Sequence, residues 1–203
     1  ALHTACMALG LAKGDWLWTS PNSFVASANC GIYCGAKVDF VDIDPKTYNM
    51  SVEILKKKLI KAKKENNLPK VVIPVHYAGQ SSEMKEIFNL SKTYGFKIIE
   101  DASHAAGADY MGKKVGSCDY SDIAVFSFHP IKIITSIEGG IALTNDHKLY
   151  KKLMSHRSHG ITSDREYMQP RNNNEIWNYQ QIMLGHNYRM TDIAAALGIS
   201  QLK

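Results

Sequence analysis

Two spacings of apolar residues alternate along the chain, and the points where one gives way to the other predict its elements. Leu2 to Leu11 repeats at helical intervals and Gly14 closes it. Trp16 to Thr19 is a short strand running into Pro21, and Phe24 to Tyr33 returns to helical spacing with small residues throughout. Lys37 to Val41 reads as a strand, followed by the acidic turn Asp42-Ile43-Asp44-Pro45. Ser51 then stands as the cap of a long lysine-rich helix from Val52. Val71 to Val75 is a buried strand despite its proline, and Ser82 to Tyr94 is helical. Phe96 to Ile99 is a strand ending at the acidic pair Glu100-Asp101, and Ile123 to Phe128 and Ile141 to Leu143 are two more. Asp146 caps a helix to about Ser155, and a final helix starts near Thr191 with the run Ile193-Ala194-Ala195-Ala196-Leu197. Between these two helices, residues 162–178 are polar and irregular, with Asn172-Asn173-Asn174 at their centre, which predicts a loop or lid.

Several of the strands are apolar on both faces. Such strands need cover on two sides, so the predicted class is α/β: a mostly parallel sheet between helical layers. At 203 residues, 45% hydrophobic and 21% charged, the chain can build one sizeable core, which excludes a disordered or collagen-like protein. No apolar run reaches the length of a spanning helix, and the opening stretch lacks a signal-peptide pattern, so no membrane association is expected. The formal net charge of +5 invites a nucleic-acid reading. Residues 56–64 alone hold six lysines, however, and without them 18 basic residues face 19 acidic ones. The excess is one solvated helix surface, with no nucleic-acid motif beside it. Cys6, Cys30, Cys34 and Cys118 lack the close pairs of a zinc site and read as reduced thiols of a cytoplasmic protein. His76, His156 and His159 share no metal-ligand spacing either.

In a parallel sheet, ligands sit beyond the C-terminal ends of the strands. Past residues 71–75 come His76 and Tyr77; past 96–99 come Glu100, Asp101 and His104. Past 123–128 come His129, Lys132, Thr135, Ser136, Glu138, Gly139 and Gly140. No complete phosphate-loop or dinucleotide fingerprint accompanies them, since Gly107 to Gly112-Lys113-Lys114 has lysine where a magnesium-binding hydroxyl belongs. A buried lysine is readily neutral, and its free amine attacks an aldehyde to form a Schiff base. A carboxylate nearby keeps a pyridine nitrogen protonated and makes the ring an electron sink. From the residues alone, Asp101 and Lys132 only suggest a pyridoxal 5′-phosphate (PLP) site, and a structural ion pair or solvent-exposed positions are the more ordinary reading.

SFHPIK at 127–132 followed by EGG at 138–140 resembles the cofactor-attachment segment of the DegT/DnrJ/EryC1/StrS sugar aminotransferases. PNSFVASAN at 21–29, FVDIDPKTYNM at 40–50 and PVHYAGQ at 74–80 are similar to segments of the same family. So are IIEDASHAAGADYMGKKVG at 98–116, RSHG at 157–160 and GHNYRMTDIAAALGISQLK at 185–203. The resemblance implies the large cofactor-binding domain of a fold-type I, aspartate aminotransferase-like PLP enzyme, as a three-layer α/β structure. It implies that Lys132 forms the Schiff base and moves the proton, and that Asp101 pairs with the pyridinium nitrogen. His104 then approaches the cofactor's 3-hydroxyl, Phe24 stacks on its ring and Ser127 contacts its phosphate. Asn187 corresponds to a residue reaching the phosphate of the neighbouring subunit, which implies a homodimer with shared active sites. His129, His186 and Tyr77 are candidates for the sugar side or for local hydrogen bonds. The substrates implied are L-glutamate and a UDP-linked 4-keto-6-deoxy-N-acetylhexosamine aminated at C4, a preference drawn from SFHPIK, DASHA and GHNYR. Alternatives are a GDP- or dTDP-linked keto-sugar, or a truncated homologue that binds PLP without turnover. The related dehydratases carry histidine at the position of Lys132, which counts against them.

Two positions depart from the family pattern: Ile133 replaces the usual proline after the lysine, and Ile137 replaces a small residue before EGG. The chain also opens within a helical pattern. By resemblance, residues 1–203 are the cofactor-binding core of a longer protein, with an N-terminal segment carrying further phosphate contacts and a smaller C-terminal domain outside it.

Overall fold

A computed structural model describes residues 1–170 and 175–202. In chain order the first half holds α1 (Leu2–Ala8), β1 (Trp16–Thr19), α2 (Ala26–Tyr33), β2 (Lys37–Phe40), α3 (Val52–Lys64), β3 (Val71–Ile73), α4 (Met84–Tyr94) and β4 (Lys97–Asp101). The second half holds β5 (Asp109–Tyr110), β6 (Lys113–Lys114), β7 (Ile123–Ser127), β8 (Gly140–Leu143), α5 (His147–Arg157), β9 (Ile161–Thr162), β10 (Gln180–Gln181) and α6 (Asp192–Gln201). Six strands form one sheet in the order β2-β1-β3-β4-β7-β8. All neighbours are parallel except β7 and β8, which pair antiparallel.

Strand alternation assigns the side chains to two cores. Leu17, Val71, Ile73, Ile99, Ile123 and Val125 share one buried cluster with Ala5, Cys6 and Leu153 from α1 and α5 and Cys30 from α2. Trp18, Val72 and Ile98 face the opposite layer and pack on Leu55 and Leu59 of α3 and Met84 and Ile87 of α4. The expected three-layer α/β arrangement is therefore present. Ser51 caps α3 by accepting the Ile54 N–H, and Leu55, Leu59 and Ala62 form its buried stripe while the lysines lie outside. Trp16 and Trp18 serve packing, with Lys37 and Lys58 held over their rings.

The boundaries shift where backbone chemistry intervenes. The β3 strand stops at Ile73, because Pro74 has no N–H to continue the ladder. Its carbonyl still accepts the Asp101 N–H, and Val75 makes an isolated parallel bridge to Asp101. Helix α2 starts at Ala26, so Phe24 lies in the loop before it. The predicted loop after α5 is closed at its base by the β9–β10 pair and contains a 3-10 turn at Arg165–Tyr167; Asn172, Asn173 and Asn174 lie outside the described residues. Among the described residues, no helix is long and apolar enough to cross a membrane.

Candidate active site

Parallel pairing of β4 with β7 brings the ends of both strands to one edge of the sheet, with Asp101 opposite Val125. The antiparallel β8 returns the chain along β7, pairing Gly140 with Ser127. Residues 128–139 therefore hang off the same edge, and they carry Lys132. A Cβ on Gly140 would stand 2.8 Å from the Phe126 carbonyl oxygen, so this pairing closes on glycine.

These elements enclose a cavity of about 490 Å³. Asp101, His104, Ser127, Lys132 and Phe24 all line it, as do Ser103, His129, Glu138 and Gly139. Its other wall comes from Ala1, Leu2 and His3 at the start of α1 and from Ala26, Cys30 and Tyr33 of α2. Five of the six residues expected from the sequence thus meet at one site, although Phe24 and Lys132 are 108 positions apart. Asn187 stands apart from the cavity, where its backbone bridges Ser158.

Asp101 is 4% exposed, and its carboxylate is met by neutral donors. Ser27 Oγ donates to Oδ2 at 2.5 Å, while the Ser103 N–H and hydroxyl donate to Oδ1 at 3.1 and 2.6 Å. Ser27 is itself buried on α2, so a helix of the cover layer locks the carboxylate rotamer. Phe24 is 74% exposed at the mouth, an orientation that packing against the core does not explain. Lys132 is half-buried on its loop, where its N–H donates to the His129 carbonyl at 2.9 Å.

The more speculative candidates separate. His129 lines the cavity, with Nε2 3.8 Å from Glu138 Oε1. Tyr77 packs beside Tyr48 outside the cavity, at 5.9 Å between ring centroids. His186 stacks on Tyr188 at 4.8 Å. Both lie near His3, whose Nδ1 is 3.1 Å from Tyr188 Oη. Burial first, and then the neighbouring His186, hold the His3 imidazole below its ordinary range. His76 is buried against Glu100, and among the described residues no group of three His, Cys, Asp or Glu is placed to hold a metal ion. Sequence reasoning missed Ser27 and Ser103. Ser103 follows Asp101 by two positions, the spacing at which an aspartate carboxylate accepts the N–H two residues on, but Ser27 is joined to Asp101 by the fold alone.

Comparison with known proteins follows the same geometry. Residues 1–203 match the DegT/DnrJ/EryC1/StrS aminotransferase family, whose members depend on pyridoxal phosphate. The chain is 43% identical over 203 residues to a UDP-4-amino-4,6-dideoxy-N-acetyl-beta-L-altrosamine transaminase of Campylobacter jejuni, covering 100% of this chain and 50% of that protein. It is 39% identical to a GDP-perosamine synthase of Caulobacter vibrioides, covering 100% of this chain and 49% of the relative. The crystal structure of a DegT DnrJ EryC1 StrS aminotransferase from Brucella abortus superposes with a TM-score of 0.86 at 30% identity, over 100% of this chain and 51% of that one. The chain thus spans about half the length of the curated relatives it matches. A family match over residues 1–203 and a shared α/β fold agree with a cavity built at the sheet edge: the chain belongs to the DegT/DnrJ/EryC1/StrS family of PLP-dependent sugar aminotransferases.

Proposed function

We propose that the protein containing this chain transfers the amino group of L-glutamate to C4 of a UDP-linked 4-keto-6-deoxy-N-acetylhexosamine, with PLP as cofactor. In this reading residues 1–203 are the cofactor-binding core, and an N-terminal segment and a smaller C-terminal domain complete the enzyme. The observation that carries the proposal is the meeting of Lys132 and buried Asp101 in one cavity with Ser127, His104 and Phe24.

The residues fit such a cofactor on physical grounds. A carboxylate buried among neutral donors retains its demand for a cationic partner, and a protonated ring nitrogen supplies one. Lys132 would hold the aldehyde carbon, Ser127 the phosphate, His104 the 3-hydroxyl, and Phe24 one face of the ring. When bound, PLP supplies an electron sink for the carbanion that deprotonation creates beside the amino nitrogen. Lys132 would take the proton from Cα of glutamate and later deliver one to C4 of the sugar. Asp101 would pair with the ring nitrogen, and the hydrogen bonds from Ser27 and Ser103 keep its carboxylate from turning. The balance is one amino group moved: glutamate leaves as 2-oxoglutarate and the ketone becomes an amine.

Asn187 belongs to the same proposal as a contact made across a homodimer. Its position away from this chain's cavity is compatible with that role, as is helix α6, which buries no residue and leaves Ile193 and Ile199 exposed. A measured mass of two chains supports this part, and a monomer that retains full turnover removes it.

In the full-length protein, Lys132→Ala is expected to abolish the visible absorbance of bound cofactor and to stop formation of 2-oxoglutarate from glutamate. An unchanged spectrum in that variant overturns the assignment. A second reading, a GDP-linked keto-sugar as acceptor, is favoured by the 39% identity to a GDP-perosamine synthase. Product analysis with UDP- and GDP-linked keto-sugars decides between the two.

A further inference from the structure

His76 is not among the residues that line the cavity, yet it grips the strand end from which Asp101 projects. It is 0% exposed. Its backbone N–H donates to the Asp101 carbonyl at 3.0 Å, and its ring Nε2 lies 2.9 Å from Glu100 Oε2. The proton assignment follows from the second nitrogen: Nδ1 accepts the Ser82 backbone N–H at 3.1 Å, so the ring proton sits on Nε2 and points at Glu100. One residue therefore holds two consecutive residues of β4, through its backbone on one and its ring on the other. The far oxygen of Glu100 accepts the Ser121 hydroxyl, which closes the arrangement from the β7 side.

The ring also shapes the turn that follows. Ser82 is held at its N–H by Nδ1 and by its hydroxyl on the Val75 carbonyl at 3.1 Å. Between these anchors the chain passes Gly79, whose φ of +89° suits glycine. A Cβ there would lie 2.8 Å from the His104 carbonyl oxygen. The turn is thus pressed against the backbone of a second cavity residue.

We infer that His76 is a positioning residue for the cofactor site, setting Asp101 through Glu100 and supporting His104 through the 77–82 turn. This inference rests on the PLP reading above. The two ring nitrogens make it separable, because an amide side chain can replace one contact at a time. His76→Gln retains a donor toward Glu100 and gives up the Ser82 contact. His76→Asn retains an acceptor for Ser82 and gives up Glu100.

The experiment uses the full-length protein. Cofactor dissociation constants are measured from the bound-PLP absorbance, and amide hydrogen exchange is followed in the cofactor-free protein. His76→Asn should bind PLP roughly tenfold more weakly, the scale of one buried hydrogen bond left unmade. In the same variant the Ser103 amide, which donates to Asp101 Oδ1, should exchange faster before any cofactor is added. His76→Gln should bind within about threefold of the unaltered protein, with faster exchange confined to the amides of residues 79–82. The inference is overturned if both variants match the unaltered protein in affinity and in Ser103 exchange. It is also overturned if both lose affinity equally, in proportion to lowered melting temperatures. A normal cofactor band that Lys132→Ala removes, together with an unaffected His76→Asn, leaves the PLP reading standing and sinks the positioning role alone. No cofactor uptake by the unaltered protein sinks both.

Discussion

Glu100 and Asp101 follow one another in β4 and are buried to nearly the same degree, 5% and 4% exposed, but the sheet sends them to opposite faces. Asp101 shares the parity of Ile99 and faces the α1–α2 layer, where the cavity lies. Glu100 shares the parity of Ile98 and faces the other core. Its two oxygens are taken by His76 and Ser121, so the group is closed on itself. Asp101 holds three hydrogen bonds from serine groups and opens onto empty volume. The difference teaches how a fold carries two buried carboxylates in sequence. One is satisfied internally and contributes architecture; the other is held in place and left short of a cation, as the binding role proposed for it requires.

Substitution should therefore split the two by readout. Asp101→Asn keeps shape and most hydrogen bonds while removing the charge that a protonated ring nitrogen requires. Turnover should fall on the order of a thousandfold, the scale of losing one preorganised electrostatic contact, with melting little changed. Glu100→Ala strips the ring of His76 and the hydroxyl of Ser121 of their acceptor inside the core. That should cost about 3 kcal/mol of folding stability, read from urea denaturation. The comparison breaks if Asp101→Asn melts like Glu100→Ala, or if Glu100→Ala leaves stability untouched.

Much of this was legible in the sequence. Alternation of strand and helix spacing is local, so the α/β class and the positions of β1, β4 and β7 follow from neighbouring residues. The acidic pair at the end of β4 was visible too, as was the lysine beyond β7. What no spacing could state is which carboxylate faces which layer, because that depends on strand register against β3 and β7. The partners were hidden for the same reason. Ser27 reaches Asp101 across 74 positions and His76 reaches Glu100 across 24, contacts made by the order β3-β4-β7 and the cover of α2. The small hairpin of β5 and β6 was missed because Asp109-Tyr110 and Lys113-Lys114 carry no apolar alternation; ladder bonds and a Lys114–Asp109 ion pair at 2.8 Å hold it. Asn187 was read by resemblance alone, and nothing in one copy of the chain brings it to the cavity.

Cys118 offers the smallest and most local probe of the closed face. Burial first, and then the charge of Glu100, push its thiol from the ordinary 9.0 to about 11. The sulfur donates to the Leu143 carbonyl at 3.3 Å, so the protonated form is the one the fold accommodates. The sign of the linkage follows. Between about pH 9 and about pH 11 the unfolded chain releases this proton and the folded chain keeps it, so stability falls as pH rises through that window. Below about pH 9 both states hold the proton and the group contributes no slope. Stability measured by urea denaturation should therefore fall more steeply above pH 9 in the unaltered protein than in Cys118→Ala. Glu100→Gln, which keeps an acceptor for His76 but removes the charge, should give an intermediate slope. Alkylation by iodoacetamide should report the same ordering, with Cys118 reacting faster once the charge is gone. If the Glu100→Gln slope matches that of the unaltered protein, the charge of Glu100 does not act on this face, and its role there reduces to hydrogen bonding alone.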